Sequence, residues 1–313
     1  MPGKGPHAGA LGAFGALDDD DADTQQVAET WKKEVADLPG EGALIAGRYR
    51  LGNHLSKGAF GQVWQAEDRA RGGRVALKLI PKLGPQLWER FRREAAIADK
   101  LRGPHFAMPF DYGETADLAY FAMELLEGED LARRLDREGR LPANVCVQLT
   151  LELAAGVDLA HRAGVVHRDL KPKNIFLLAG PGGAAVKILD FGIAKHAALA
   201  ARVTRTGILL GTPHYMSPEQ IADVRHVDHR ADLWSLGAVA YRCLAGRRPF
   251  EGELSELLHR ITHGAFTPPT RLVPGLAPAV DEVFERALAK DPRARFESAA
   301  ALSNALSGAL TRR

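Results

Sequence analysis

Cysteine is almost missing from this sequence: Cys146 and Cys243 are the only two in 313 residues. Both fall inside apolar helical patterns, which excludes a disulfide framework and points to buried thiols in a reduced, cytoplasmic compartment. No apolar run approaches the roughly 18 uncharged residues of a membrane-spanning helix. The glycine-rich opening, MPGKGPHAGALGAFGAL, lacks the apolar region of a signal peptide. Aromatic residues make up only 7%, and no Lys/Arg-rich run interleaves with them, so nucleic acid is not an expected partner. Metal-ligand patterns are scarce too. His259 and His263 lie four apart, but neither a third ligand nor a Glu-x-x-His arrangement accompanies them.

What is present is an ordinary globular composition, 46% hydrophobic and 26% charged, in a length that suits two modest domains or one bilobed one. The small net charge of +2 conceals a split, because residues 1–47 carry nine Asp/Glu against three Lys. The acidic run DDDDAD and its glycine-rich surroundings read as a self-repelling tail over residues 1–46, with docking on the basic remainder as the weaker alternative. From residue 47 to 126 the texture is strand-like. RYRLGNHL and QVWQAED flank a glycine-containing turn as a hairpin, RVALKLI alternates as a third strand, and FAMPFDYG and LAYFAMELL supply two more. A helix is expected from about Leu87 to Leu101, closed by Gly103 and Pro104. From 127 to 308 the pattern is mainly helical, and residues 309–313 form a short tail. Strands first and helices later define an α+β arrangement of two lobes.

The hairpin turn, HLSKGAFGQVWQA, has the form of a phosphate-binding glycine loop with one glycine replaced. Ser56 stands first in the Gly-x-Gly-x-x-Gly pattern, leaving Gly58 and Gly61. In the third strand Val75, Leu77 and Leu79 share one face, while Ala76, Lys78 and Ile80 share the other. On the expected helix the apolar stripe of Leu87, Phe91, Ala98 and Leu101 also contains Glu94. A carboxylate there is costly unless paired. Periodicity leaves open whether Lys78 and Glu94 form such a pair or snorkel separately to solvent.

Two further stretches decide the matter: VVHRDLKPKNIF and VKILDFGIAK. With Gly58, Gly61, VALK, Glu94, GTPHYMSPEQ, DLWSLG and DPRARF they form an ordered set over about residues 47–300 that resembles the protein kinases. FRREA and VTRTGILLGTPHYMSPEQ are most similar to the bacterial serine/threonine kinases of eukaryotic type. The resemblance implies a bilobal kinase fold, with a small antiparallel sheet plus one helix over 47–126 and a mainly α-helical lobe over 127–308. It also implies ATP and Mg²⁺, with Mn²⁺ as an alternative ion, and transfer of the γ-phosphate to Ser/Thr hydroxyls of protein substrates.

Roles carry over position by position. Leu55, Ser56, Gly58 and Gly61 would line ATP as a lid, Val63 and Ala76 would roof the base, and Met123 would lie behind the pocket. Backbone groups of Glu124 and Leu126 would meet the adenine edge. Lys78 would reach the α- and β-phosphates, with Glu94 holding its ammonium. Asp169 would be the catalytic base, Lys171 would steady the transferring phosphate, and Asn174 and Asp190 would hold Mg²⁺. Lys171 and Thr212 mark Ser/Thr rather than Tyr acceptors. Arg168 marks kinases whose basic pocket receives a phosphorylated activation loop, and Thr204 and Thr206 are the expected autophosphorylation sites. Self-association of two chains would serve that reaction in trans. Glu219 is expected to pair with Arg295, and Asp232 to brace the catalytic loop.

Two other readings stand beside an active kinase. One is a pseudokinase or nucleotide-binding scaffold, prompted by Ser56. The other is a small-molecule phosphotransferase, a class that generally lacks the GTPxYxSPE segment. A catalytically dead relic typically loses Lys78, Asp169 or Asp190, and all three are present. If Ser56 needs a positive φ, the strain costs about 1 kcal/mol and weakens ATP binding several-fold. Bacterial kinases of this type often continue into a membrane span and a sensor, and the resemblance here ends near residue 300, shortly before Thr311.

Overall fold

The computed structural model describes residues 33–58, 61–81, 100–101, 103–107, 109–180, 185–191, 213–222 and 227–311. Glu94, Thr204, Thr206 and Thr212, and nearly all of the helix expected from Leu87, lie outside these residues.

Strands β1 (Leu44–Ile45), β2 (Tyr49–Gly58), β3 (Gly61–Asp68), β4 (Arg74–Pro81), β5 (Pro109–Glu114) and β6 (Leu118–Glu124) form one antiparallel sheet, ordered β1-β2-β3-β4-β6-β5. Alternation sets the inward face of β3, where Gln62, Trp64, Ala66 and Asp68 are buried. The interior strand β4 is covered on both sides, which is why its apolar residues run nearly without interruption. Leu51, Trp64, Ala66, Leu77, Leu79 and Tyr120 make the core of one sheet face. Arg48 fastens its edge, bonding Asp68 at 2.6 Å and Asp111 at 2.8 Å. That guanidinium holds the Asp68 carboxyl well below the usual carboxylate range.

Within residues 33–46 Leu44–Ile45 joins this sheet and neighbouring apolar residues pack on it, which corrects the expected tail at its C-terminal end. Residues 33–36 are helical, β1 pairs with β2, and Val35 and Ile45 are 3% and 4% exposed. Leu38 and Ala43 pack on the same core. The acidity that marks residues 18–23 does not reach these apolar side chains, which have a sheet face to cover.

The helices follow: α1 (Leu131–Glu138), α2 (Ala143–Arg162), α3 (Pro218–Ala222), α4 (Arg230–Ala245), α5 (Leu254–His263), α6 (Ala279–Ala287) and α7 (Ala299–Thr311). Asp130 caps α1, its carboxylate accepting from Arg133 N at 2.9 Å. Helix α4 is the axle of the second lobe, with Leu233, Trp234, Leu236, Val239 and Cys243 fully buried. Gly246 ends it in the left-handed region at φ 76°. Among the described residues α2 is the one helix long and apolar enough to cross a membrane, yet Cys146, Leu149, Leu153 and Val157 are buried in the core it shares with α4 and α7. Cys146 and Cys243 meet there as free thiols, and their contact and burial push the Cys243 thiol up.

The second lobe is mainly helical, as expected, and also carries a small sheet that the sequence did not reveal. Strands β7 (Gly128–Asp130), β8 (Ile175–Leu178) and β9 (Val186–Ile188) form a small antiparallel sheet. Strands this short leave no periodicity to read. Residues 105–107 are bonded to β9: Ile188 N donates to His105 O at 2.8 Å, and Ala107 N to Ile188 O at 3.2 Å. Phe106 is thereby packed into the core of the helical lobe.

Candidate active site

The roof of the cleft is the β2–β3 hairpin. Gly58 pairs with Gly61 at its mouth. Gly61 has φ 147°, and a Cβ there would lie 2.1 Å from the carbonyl oxygen of Leu79. The close approach of the start of β3 to the backbone of its neighbour β4 therefore demands this glycine, independently of any ligand. Ser56 pairs with Val63 in the exposed part of β2 and, among the described residues, is not one of the non-glycine positions with positive φ, which are Ala46, Arg168 and Asp190. The conformational penalty weighed for Ser56 does not arise. Leu55 beside it is 39% exposed.

Registers place the next group. Val63 pairs with Lys78, and Ala76 with Met123, so all four side chains occupy one face of the sheet, opposite Leu77 and Leu79. Glu124 closes β6, and its carboxylate forms an ion pair with Lys187 of β9. Leu126 follows, half-buried, in the connection to the helical lobe.

Lys78 Nζ lies 2.6 Å from Asp190 Oδ1, joining the central strand of the sheet to the segment after β9. Asp190 takes φ 46° and Arg168 φ 61°, a region that costs L-residues about 1–2 kcal/mol each. Surrounding bonds hold both. Asp169 Oδ2 accepts from Lys171 Nζ at 2.8 Å and from Asn174 Nδ2 at 3.2 Å, and the same Nδ2 donates to Asp169 O at 2.8 Å. Leu189 N donates to Asn174 O at 2.8 Å, which sets Asp190 beside this loop. Between the two segments sits His167, a residue whose part the sequence did not disclose. Its Nδ1 accepts from Asp169 N at 3.2 Å, leaving Nε2 to donate to Leu189 O at 2.9 Å. Its ring lies 4.7 Å from Phe191, which in turn meets Phe106 at 5.3 Å.

Beneath the loop, Asp232 is fully buried. Its Oδ2 accepts from His167 N at 2.8 Å and contacts His161 Nε2 at 2.7 Å, and its Oδ1 accepts from Arg168 N at 2.7 Å. Burial pushes this carboxyl up, but the His161 bond and the neighbouring imidazoles and amide hold it below its ordinary value. Gln220 Nε2 donates to Arg168 O at 2.8 Å, and Arg168 Nη2 to Val227 O at 3.3 Å. Glu219 receives both guanidinium nitrogens of Arg295, at 2.7 and 2.8 Å. The Arg295 side chain is fully buried and lies over the Trp234 ring. His214 is buried between Phe250 O at 3.2 Å and Arg248 Nη1 at 2.8 Å. Only the neutral ring satisfies both, and burial together with the Arg248 charge lowers its pKa. His259 and His263 stack on each other on the surface of α5.

A two-lobed fold in which a strand lysine meets an aspartate of the second lobe beside a loop rich in carboxylate, amide and ammonium groups defines a class. The chain belongs to the protein kinase domain family, which matches residues 49–306. It is 40% identical over 278 residues to serine/threonine-protein kinase PknA of Mycobacterium tuberculosis, an alignment covering 86% of this chain and 62% of that protein. It is also 40% identical over 271 residues to serine/threonine-protein kinase Pkn1 of Myxococcus xanthus, covering 84% and 38%. Against PknA of Corynebacterium glutamicum the identity is 39% over 261 residues, covering 81% and 54%. The chain thus spans less than two thirds of the length of these relatives.

Proposed function

We propose that this chain is a serine/threonine protein kinase that transfers the γ-phosphate of ATP to hydroxyl groups of protein substrates. The observation carrying the reading is the convergence of Lys78, Asp169, Lys171, Asn174 and Asp190 on one cleft between sheet and helical lobe. Phosphoryl transfer asks for positioning and charge neutralisation, and this set supplies both. Asn174 and Asp190 suit a hard cation. Both side-chain bonds of Asn174 use its amide nitrogen, leaving the oxygen lone pairs to ligate a cation, and the Asp190 side chain is half-exposed. Mg²⁺ bound there, or Mn²⁺ in its place, would neutralise phosphate charge.

The chain's own groups do the rest. Lys78 would exchange Asp190 for the α- and β-phosphates, with Glu94 as a second partner. Asp169 would orient the acceptor hydroxyl and take its proton on the carboxylate. Lys171, already 2.8 Å from that carboxylate, would neutralise the moving phosphoryl group. Val63, Ala76 and Met123 offer an apolar face for the adenine, whose edge would meet backbone groups of Glu124 and Leu126. Leu55, Ser56, Gly58 and Gly61 would cover the phosphates. Thr204 and Thr206 would take phosphate by self-association in trans and pair with Arg168, and Thr212 would favour Ser/Thr acceptors. The presence of Lys78, Asp169 and Asp190 together favours a live enzyme over a scaffold, as does the unstrained Ser56.

Labelled ATP with Mg²⁺ and a generic basic protein tests the proposal. Wild type should incorporate label, and Lys78→Met and Asp169→Asn should lose at least about 100-fold. Equal incorporation by wild type and Asp169→Asn would discard the assigned base. Mass spectrometry after incubation with Mg-ATP checks Thr204 and Thr206, and finding both unmodified removes them as autophosphorylation sites.

A further inference from the structure

The buried face of the sheet carries an amide that the chemistry above does not use. Gln62 is 6% exposed, its Nε2 donates to Val35 O at 2.6 Å, and its Oε1 accepts from the Trp64 indole at 3.1 Å. An amide in such surroundings is unfavourable unless both ends are bonded, so its presence fixes a specific contact. Gln62 follows Gly61 directly and pairs with Lys57, which puts it at the root of the glycine hairpin. Val35 belongs to the helical turn at 33–36 and is buried, and further along the segment Ile45 is buried in the sheet core with the half-buried Leu38 and Ala43 packed against it. Because strand side chains alternate, Gln62 points away from the face that carries Val63 and Lys78. The N-terminal segment therefore grips the hairpin from behind.

We infer that residues 33–46 act as a strap that holds the glycine hairpin over the nucleotide, with Gln62 as the positioning residue through its bond to the Val35 carbonyl. The inference rests on the ATP-site reading above. The tip of the hairpin, Gly58 and Gly61, projects past the last β3–β4 pair at Gln62 and Leu79, and a bonded support behind it reduces the ordering that ATP must impose. Asp169, Lys171 and Asn174 stand on the other lobe, so the strap governs nucleotide affinity and leaves the transfer step alone.

Steady-state kinetics on the full chain test this. Gln62→Met keeps the side-chain volume and removes the donor to Val35, while Val35→Asp unseats the strap from its own side. Each should raise the KM for ATP about three- to tenfold, the loss of one buried hydrogen bond, with kcat within about twofold of wild type. The double variant should show no more than the larger single effect, because both changes act through one contact. An unchanged KM in both single variants overturns the inference, as do additive effects in the double variant. A parallel fall of kcat and thermal stability with no change in KM also overturns it. Absence of any ATP-dependent transfer in wild type overturns the reading beneath it, and the inference with it.

Discussion

Replacing Asp232 by Asn exchanges one oxygen for an NH₂ group, yet the structure expects a large effect. The carboxylate serves three donors, and an amide can present its oxygen at one of the two carboxylate positions only. With that oxygen toward His167 N and His161, the new NH₂ opposes Arg168 N–H, whose present acceptor lies 2.7 Å away. The variant loses a hydrogen bond to a charged group, about 1.5–3 kcal/mol, and leaves a buried donor unsatisfied, about 1–3 kcal/mol more. A cost of about 3–5 kcal/mol corresponds to roughly 10 °C in Tm for a domain of this size. The effect on rate arises separately. Arg168 stands at φ 61° and its amide is one of the groups that keep it there. Freed, it relaxes and carries Asp169 with it, and a displacement of about 1 Å costs on the order of 100-fold in kcat. Asp158 is the control, since its two oxygens accept Ala299 N and Ala300 N of α7 at 2.9 Å instead of amides of the catalytic loop. Asp158→Asn should lower Tm and spare kcat, while Asp232→Asn lowers both. If Asp232→Asn loses stability as Asp158→Asn does and keeps its kcat within about twofold, the claim that this carboxylate positions Asp169 is wrong.

Three further outcomes follow from local geometry. Ser56→Gly relieves no strain, because Ser56 is in ordinary negative-φ strand backbone, so the KM for ATP should change by less than about twofold; a tenfold gain would show a hidden penalty. Gly61→Ala places a methyl 2.1 Å from Leu79 O at φ 147° and should cost about 2–3 kcal/mol, read as a lower Tm together with weaker ATP binding. His214 has a folded-state pKa below 6.5, so the folded protein favours the neutral ring. That stability is fully present above the unfolded value and is lost as pH falls from about 6.5 toward the folded pKa. Calorimetry between about pH 8 and pH 5 should show Tm falling in this window, and His214→Gln should flatten the slope.

The sheet and the chemistry-bearing motifs were legible because strand alternation and motif order are local properties. The strand face of Lys78 could be read from the alternation of RVALKLI, but Asp190 is 112 residues away and no pattern in either segment announces the other. The requirement for Gly61 was legible as a motif position, whereas its physical cause, the backbone of Leu79, belongs to a neighbouring strand. Ser56 invited a strain argument that only a backbone angle could decide. His161, His167 and Asp232 form one cluster from three separate stretches, with His167 hidden by its place in a motif whose aspartate draws attention. Residues 33–46 were obscured by their acidic neighbours, although Val35, Leu38, Ala43 and Ile45 are apolar. The strands of the small sheet were too brief to betray a period.

Among the described residues the backbone joins the two halves of this molecule at two places, and the Lys78–Asp190 ion pair bridges them at a third. One backbone joint is the covalent passage from Glu124 to Gly128; the other is the backbone bonding of His105 and Ala107 to Ile188. The two backbone joints define a line, and a swing about it would leave both intact once Lys78 releases Asp190. Lys187 spans both joints, since its ammonium meets the Glu124 carboxylate and lies 3.5 Å from the Phe106 carbonyl. Asp190 stands only three positions beyond Lys187, close to the pivot, whereas Gly58 and Gly61 lie at the far rim. A small angular change therefore sweeps the rim widely and scarcely displaces the acidic floor, so entry and exit of a ligand need not disturb the groups that act on it.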